Sequence, residues 1–394
     1  MTGLSASTVT ARLKPVAGEW KSTLAAERDA LRRAFLARPA AGELLRRHST
    51  LIDRQLRVVW STHALPPGPA LLAVGGYGRG QLFPHSDIDL LVLLPAVADA
   101  ALQQILETFI GTLWDIGLEV GHSVRTIDEC AELAGQDVTV QTSLIEARLL
   151  TGNRDLFRRF VKTMHDALDA AAFMQAKQLE QQQRHERYQE TNLEPNIKES
   201  AGGLRDLQSI LWIARAGGIG NTWRELARRG LITLQEARTI QRDELFLQVL
   251  RIRLHYLAAR REDRLLFDHQ SALAAQFNLR ERPHRLASEQ LMQRYYRTAK
   301  AVSQLNIILL QNLKARISPV RDREYHAINP RFGNRGELLE ARTCKTVTFC
   351  TYLMRAKDHP TGQFPTGCVP FDKEVYGPIM KEAQRAKAAR KKGR

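Results

Sequence analysis

Apolar positions recur at mixed three- and four-residue spacings across residues 19–63, at Leu24, Leu31, Phe35, Leu44, Leu45, Leu51, Ile52 and Leu56, and predict helix. Pro39 falls inside that run and predicts a break into two helices. The stretch Pro66-Pro67-Gly68-Pro69 stops the pattern, and the apolar run 70–74 after it reads as a short buried strand. A glycine-dense turn leads into a second apolar run, 88–94, closed by Pro95. Residues 98–116 carry the spacing of an amphipathic helix, and 118–125 that of a third strand. Strand, turn, strand, helix, strand is the order of a compact unit of sheet and helix.

From about Thr139 onward the pattern is almost wholly helical, with helices expected over 139–150, 154–190, 204–216, 222–228, 233–261, 268–277 and 286–315, and a loop at 193–203. Beyond Ile317 it breaks up among Pro319, Pro330, Pro360, Pro365, Pro370 and Pro378. The expected class is therefore α+β. A helical segment (1–66) precedes a small mixed-sheet domain (67–157), an all-helical domain (158–316) and an irregular basic tail (317–394). Only scattered apolar residues, such as Val347, Phe349 and Tyr352, could build a core in that tail, so residues past about 343 are expected to add little to the fold.

Composition narrows the setting. No apolar run approaches the roughly 20 residues that span a bilayer, and the first 20 residues lack the apolar core of a signal peptide. Cys130, Cys344, Cys350 and Cys368 are scattered without a CxxC pair, which reads as free thiols in a cytoplasmic chain with no membrane association. The net charge of +16 suggests nucleic acid as a partner. That partner is disfavoured, because the excess lies in the last segment, KEAQRAKAARKKGR, and in arginines spread along helices rather than in one basic strip.

Chemistry concentrates in Gly75-Gly76-Tyr77-Gly78-Arg79-Gly80-Gln81-Leu82-Phe83-Pro84-His85-Ser86-Asp87-Ile88-Asp89. No Gly-Lys-Ser/Thr follows, so this is not a Walker loop, and Gln81 stands where a dinucleotide fingerprint needs its third glycine. It offers Gly75 and Gly76, ten residues, then two aspartates opening a strand. Alternation along a strand puts Asp87 and Asp89 on one face. Two adjacent carboxylates repel unless a cation neutralises them, and Mg²⁺ or Mn²⁺ shared with a triphosphate meets that need. Gly75 and Gly76 let backbone approach phosphate, and Arg79 can add a charge-assisted contact. The plainer alternative is a polar turn before an edge strand; the glycine-dense turn and the apolar strand behind it favour the metal site.

Gly-Gly, ten residues and Asp-x-Asp is the signature of the DNA polymerase beta-like nucleotidyltransferase superfamily. The longer string GGYGRGQLFPHSDIDLLVLL (75–94) resembles the PII uridylyltransferase family in particular. So do WDIGLEVGHSVRT (114–126), TSLIEARLLTGN (142–153), NLEPNIKESAGGLRDLQSILWIARA (192–216), RLHYLAARREDRLLFDHQSALA (253–274) and QLMQRYYRTAKAV (290–302). The resemblance implies a nucleotidyltransferase domain at 67–157 and transfer of UMP from UTP to a tyrosine of the PII nitrogen-regulatory protein, with release of pyrophosphate. It also implies a third carboxylate near Asp87 and Asp89, for which Glu119, Asp137 and Glu146 are all candidates. Lys198 and Arg205, flanking Gly202-Gly203 before a helix, make a second triphosphate-binding element, although Ser200-Ala201 stands where the family more often has Gly-Pro. His255, His269, Arg260, Arg261 and Asp263 are assigned to packing and surface pairing.

The family's HD hydrolase and glutamine-sensing ACT domains have no counterpart in these residues, and the resemblance fades near Arg342. The chain reads as a truncated form, expected to lack uridylyl removal and glutamine response. Two rival readings stand beside it: a catalytically silent remnant, and a nucleotidyltransferase acting on RNA or a small molecule.

Overall fold

The structure is a computed structural model that describes residues 6–63, 65–188, 193–318, 325–327, 332–335 and 338–341, with side chains placed in the range 18–318. The expectations for the segment past 343, and Cys344, Cys350 and Cys368, lie outside the described residues.

Two long helices open the chain, α1 (Ala6–Ala37) and α2 (Ala41–Thr62), separated at Pro39. A mixed four-stranded sheet follows, built from β1 (Ala70–Ala73), β2 (Ile88–Leu94), β3 (Val120–Thr126) and β4 (Arg148–Gly152) in the order β3-β2-β1-β4. Strands β1 and β2 are antiparallel, β1 and β4 antiparallel, and β2 and β3 parallel. The parallel pair needs a crossover, which α4 (Ala100–Asp115) supplies, its first turn capped by Asp99 accepting from the Leu102 N–H at 2.8 Å. Every residue of β2 except Asp89 is buried, because helices cover both faces of the strand, and this is why its sequence is a continuous apolar run. On the face that carries Asp89, Leu91 and Leu93 pack with Leu72 of β1, Cys130, Leu144 and Phe160.

Local chemistry sets the next boundaries. Thr126 and Glu129 form a reciprocal capping box that turns the end of β3 straight into α5 (Ile127–Gln136), a helix not expected from the apolar spacing. Asp137 caps α6 (Val138–Ile145). The helix expected over 139–150 ends at Ile145, and Arg148–Gly152 is instead β4, drawn onto the free edge of β1. Five residues without clear alternation carry no periodic signal; a partner strand far along the chain decides their state. Arg148 then binds Asp53 of α2 at 2.6 and 3.0 Å, and Asp53 accepts the Tyr77 hydroxyl at 2.7 Å, so strand, helix and glycine turn are tied at one carboxylate.

The remainder of this unit is helical: α7 (Arg154–Asp166), α8 (Ala170–Tyr188), α9 (Leu204–Ala216), α10 (Trp223–Arg228), α11 (Leu234–Ala258), α12 (Phe267–Gln276) and α13 (Ala287–Ile317), the last continuing into the next unit. Its polar centre is Asp206, fully buried at the start of α9. Arg184 (2.6 Å), His185 (2.9 Å), Gln181 (2.9 Å) and the Gly202 N–H (2.8 Å) all donate to its carboxylate. Burial alone would raise its pKa; the hydrogen bond from His185 and the charge of Arg184 outweigh burial and lower it. A second unit, from Gln311 on, contains β5 (Tyr325–Ala327), β6 (Phe332–Arg335) and β7 (Leu338–Ala341), an antiparallel sheet in the order β5-β6-β7. The sequence shows no periodic element there, since strands of three and four residues are too short to leave one.

Among the described residues no helix is long and apolar enough to cross a membrane.

Candidate active site

The glycine turn is a single helical turn, α3 (Gly75–Gly78), held from below. Tyr77 is buried, and a Cβ on Gly78 would stand 2.2 Å from the Glu146 carbonyl oxygen, so this half of the turn is packed down. Gly75, in the left-handed region at φ +56°, and Gly76 face the other way, into a cleft of about 540 Å³. Gly76 has room: a Cβ there would come no nearer than 3.5 Å to Arg79 Nη2.

All seven residues singled out for nucleotide and metal line this one cleft: Gly75, Gly76, Arg79, Asp87, Asp89, Lys198 and Arg205. Asp87 precedes β2 and Asp89 is its second residue, so the two share a face as the alternation requires. The walls desolvate Asp89, and that burial, with the charge of Asp87 beside it, raises its pKa. The charges of Lys198 and Arg261 offset this only in part. Two hard carboxylate donors opening onto a cationic cleft fit Mg²⁺ or Mn²⁺, which complete their shells with phosphate oxygens and water. Among the described residues no group of three or more His, Cys, Asp or Glu side chains is placed to hold a metal, so Asp87 and Asp89 would be the protein's share of such a shell.

The three candidates for a further carboxylate part company. Asp137 caps α6, accepting from the Thr139 N–H at 2.6 Å. Glu146 is buried, ion-paired to Arg79 and accepting from Trp212 Nε1 at 2.5 Å. Glu119 directly precedes β3, its carbonyl accepting from the Ile88 N–H at 3.0 Å, and lines an open groove with Asp87, Asp89 and Trp114. At the next in-facing position of β3 is Gly121, where a Cβ would come within 3.0 Å of Asp89 Oδ1. A side chain at that position would crowd Asp89.

The cationic wall comes from the helical region, and much of it is invisible in the sequence. Trp212 of α9 gathers Lys177 (4.6 Å), Arg205 (5.3 Å) and Arg79 (5.6 Å) around its ring. Lys198 lies 3.3 Å and Arg205 3.1 Å from Glu199. Burial, then the charge of Arg205, lowers Lys198 to about 8. Burial would raise Glu199, but Arg205 and Lys198 together bring it down to about 2. Arg251 stacks on Phe83 at 4.1 Å and binds Asp263 at 2.6 Å. His255, fully buried, bridges the Pro84 carbonyl and Asp263, the packing role expected for both residues. Arg261, assigned with its neighbours to packing and surface pairing, makes an exposed ion pair, and its partner is Asp87 of the cleft. No local pattern could have shown this, because 174 residues separate the partners.

Around Gly202-Gly203 the geometry differs from the expectation of a phosphate cradle. A Cβ on Gly202 (φ +77°) would lie 2.0 Å from the Ala299 carbonyl oxygen, and one on Gly203 would lie 2.7 Å from that of Ile197. These glycines serve close packing; the flanking Lys198 and Arg205 are what reach the cleft.

A small mixed sheet with a glycine turn and two aspartates opening a central strand is the arrangement of a nucleotidyltransferase domain, and residues 64–149 match the family model for that domain. Residues 172–310 match the model described as GlnD PII-uridylyltransferase. It is similar to the bifunctional uridylyltransferase/uridylyl-removing enzymes of Nitrosospira multiformis (56% identity over 328 residues, 81% of this chain) and Aromatoleum aromaticum (51% over 334 residues, 84% of this chain). The chain spans 37% and 39% of the length of these two relatives.

Proposed function

We propose that this chain transfers UMP from UTP to a tyrosine of a PII regulatory protein, with Mg²⁺ or Mn²⁺ bound at Asp87 and Asp89. The observation that carries the reading is the placement of these two carboxylates on the floor of a cleft walled by Lys198, Arg205 and Arg79. In this reading the phenol oxygen of the acceptor attacks the α-phosphorus, the bond to the β-phosphate bridging oxygen breaks, and pyrophosphate leaves. Lys198 and Arg205 hold the triphosphate, and Gly75 and Gly76 let its oxygens lie close to the backbone. Arg79, anchored through Glu146, turns Nη2 toward the glycine turn. The divalent cation supplies neutralisation of the developing charge on the phosphates. In the same reading Glu119, which lines the groove beside Asp87, takes the phenol proton. The cytoplasm is the compartment that goes with this substrate pair, and the proposal covers transfer alone.

UTP labelled at the α-phosphate, offered in parallel to PII protein, RNA and buffer, tests the reading. Label on a PII tyrosine is the expected result. Label on RNA alone would overturn the acceptor, and nucleotide binding without label anywhere would mean a silent binding module.

A further inference from the structure

Six cations of the cleft have carboxylate partners, and five of the six pair with acids other than Asp87 and Asp89. Arg79 holds Glu146, Lys177 holds Glu180, Lys198 and Arg205 share Glu199, and Arg251 holds Asp263. The sixth, Arg261, is paired with Asp87, one of the two acids that this reading reserves for a divalent cation. A guanidinium and a divalent cation on the same carboxylate repel one another and compete for its charge.

The backbone around Arg261 is pinned while its side chain is not. Asp263 binds Arg251 and His255, the Ile197 N–H donates to the Asp263 carbonyl at 2.8 Å, and the Leu265 N–H donates to that of Pro195 at 2.9 Å. The segment is thereby fixed against the turn that carries Lys198. The side chains of Arg261 and Asp87 are each 50% exposed. Water competes for such a pair and it is weak, so the guanidinium can leave Asp87 at small cost. Once released it is still tethered at the cleft, on the same side as Lys198 and Arg205, and its planar fork suits phosphate oxygens better than an ammonium would.

We infer that Arg261 is an exchangeable clamp: it neutralises Asp87 while the cleft is empty and binds the triphosphate once Asp87 takes a divalent cation. The inference rests on the metal and nucleotide reading given above. It makes metal and nucleotide mutually reinforcing, because each favours the position of Arg261 that the other needs.

The test is equilibrium binding on the full chain, with Mn²⁺ followed by electron paramagnetic resonance and a non-transferable UTP analogue followed by calorimetry at saturating Mn²⁺. Arg261→Ala should bind Mn²⁺ alone about two- to fivefold more tightly, the worth of an exposed ion pair. It should bind the analogue about tenfold or more weakly, the worth of a charge-assisted hydrogen bond. Arg261→Lys keeps the charge without the fork and should fall between wild type and Arg261→Ala for the analogue. Arg260→Ala removes the same charge from the neighbouring position, where Arg260 pairs with Glu262, and should move neither constant. Mn²⁺ affinity unchanged in Arg261→Ala, or raised equally in Arg260→Ala, overturns the clamp while leaving the site reading intact. A wild-type chain that binds no Mn²⁺, or binds it equally well as the Asp87→Asn/Asp89→Asn variant, overturns the site reading and the clamp with it.

Discussion

Two glycine pairs in this chain look alike on paper and differ in what they do. Gly75-Gly76 opens a turn whose far side is packed by Tyr77 and Gly78, so the pair itself faces a cleft with room to spare. Gly202-Gly203 also precedes a helix and is also flanked by basic residues, yet a Cβ at either position would collide with carbonyl oxygens. The aspartates that follow diverge in the same way. Asp87 and Asp89 face the cleft, where Asp87 has one half-exposed ion pair with Arg261, while Asp206 is fully buried beneath four donors. One turn is built for a ligand and the other for the fold. Sequence alone ranks them together because both show Gly-Gly, a base and an acid.

The largest effects should come from exchanging the acids. Asp87→Asn with Asp89→Asn should lower transfer by about 10³-fold or more, since the groups removed act only on the reacting phosphates. Stability should hold or rise, because burial and Asp87 make the charged form of Asp89 unfavourable in the fold at neutral pH. Asp206→Asn should do the reverse, costing about 3–5 kcal/mol by stranding Arg184 and its neighbours. Urea unfolding alongside a transfer assay separates the two. A stable Asp206→Asn protein, or an active double variant, would break the contrast.

The glycines make the same comparison at slightly smaller scale. Gly202→Ala forces backbone against backbone at Ala299 and should cost about 3 kcal/mol, at the upper end for overpacking. Gly76→Ala should change stability by less than about 1 kcal/mol, since its nearest neighbour is a side-chain tip at 3.5 Å. It should instead weaken nucleotide binding, by calorimetry, about tenfold through loss of close phosphate approach. Equal stability losses in the two variants would mean that the first turn is packed as tightly as the second.

What could be read in advance follows from how local each feature is. The bounds of β2 (Ile88–Leu94) and α9 (Leu204–Ala216) are legible to the residue, because a continuous apolar run and a glycine-started amphipathic run are written within the elements themselves. Asp87 and Asp89 are legible for the same reason, as spacing within fifteen consecutive residues. β4 is not, because Arg148–Gly152 is a strand only by virtue of the edge of β1. The signal for α5 was present in Thr126 and Glu129, a capping pair, but lay outside the apolar periodicity. Trp212, Lys177 and Arg261 meet the glycine turn only after the helical region docks, and no spacing in the chain records that.

Among the carboxylates, Glu119→Gln sharpens the comparison further. Loss of a proton acceptor beside Asp87 should slow transfer about 10²-fold with nucleotide affinity unchanged. Asp137→Asn, which removes a helix cap, should leave the transfer rate alone and cost about 1 kcal/mol of stability. If Asp137→Asn slows transfer and Glu119→Gln does not, the proton goes elsewhere.

The smallest expected effect is a pair of opposed pH slopes from Lys198. Burial and Arg205 lower its pKa to about 8, so in the empty cleft it is cationic below that pH and neutral above it. A bound triphosphate favours the cation, and nucleotide affinity should therefore be full well below pH 8 and fall as pH rises through it. A group with this pKa when free, and one nearer the ordinary lysine value when bound, loses about tenfold in affinity between pH 7 and pH 9. The stability of the unliganded protein should run the other way. The unfolded chain keeps its lysine protonated up to the ordinary value, so between about 8 and 10.5 it binds more protons than the fold, and stability contributed by this site rises with pH. Few single groups give falling affinity and rising stability over overlapping pH ranges. Lys198→Ala should abolish both slopes and lower affinity at pH 7. Lys198→Arg, charged throughout, should keep affinity and lose only its pH dependence. A wild-type affinity that is flat from pH 7 to 9, or a slope that persists in Lys198→Ala, would remove Lys198 from the triphosphate site and leave Arg205 as what the second glycine turn brings to it.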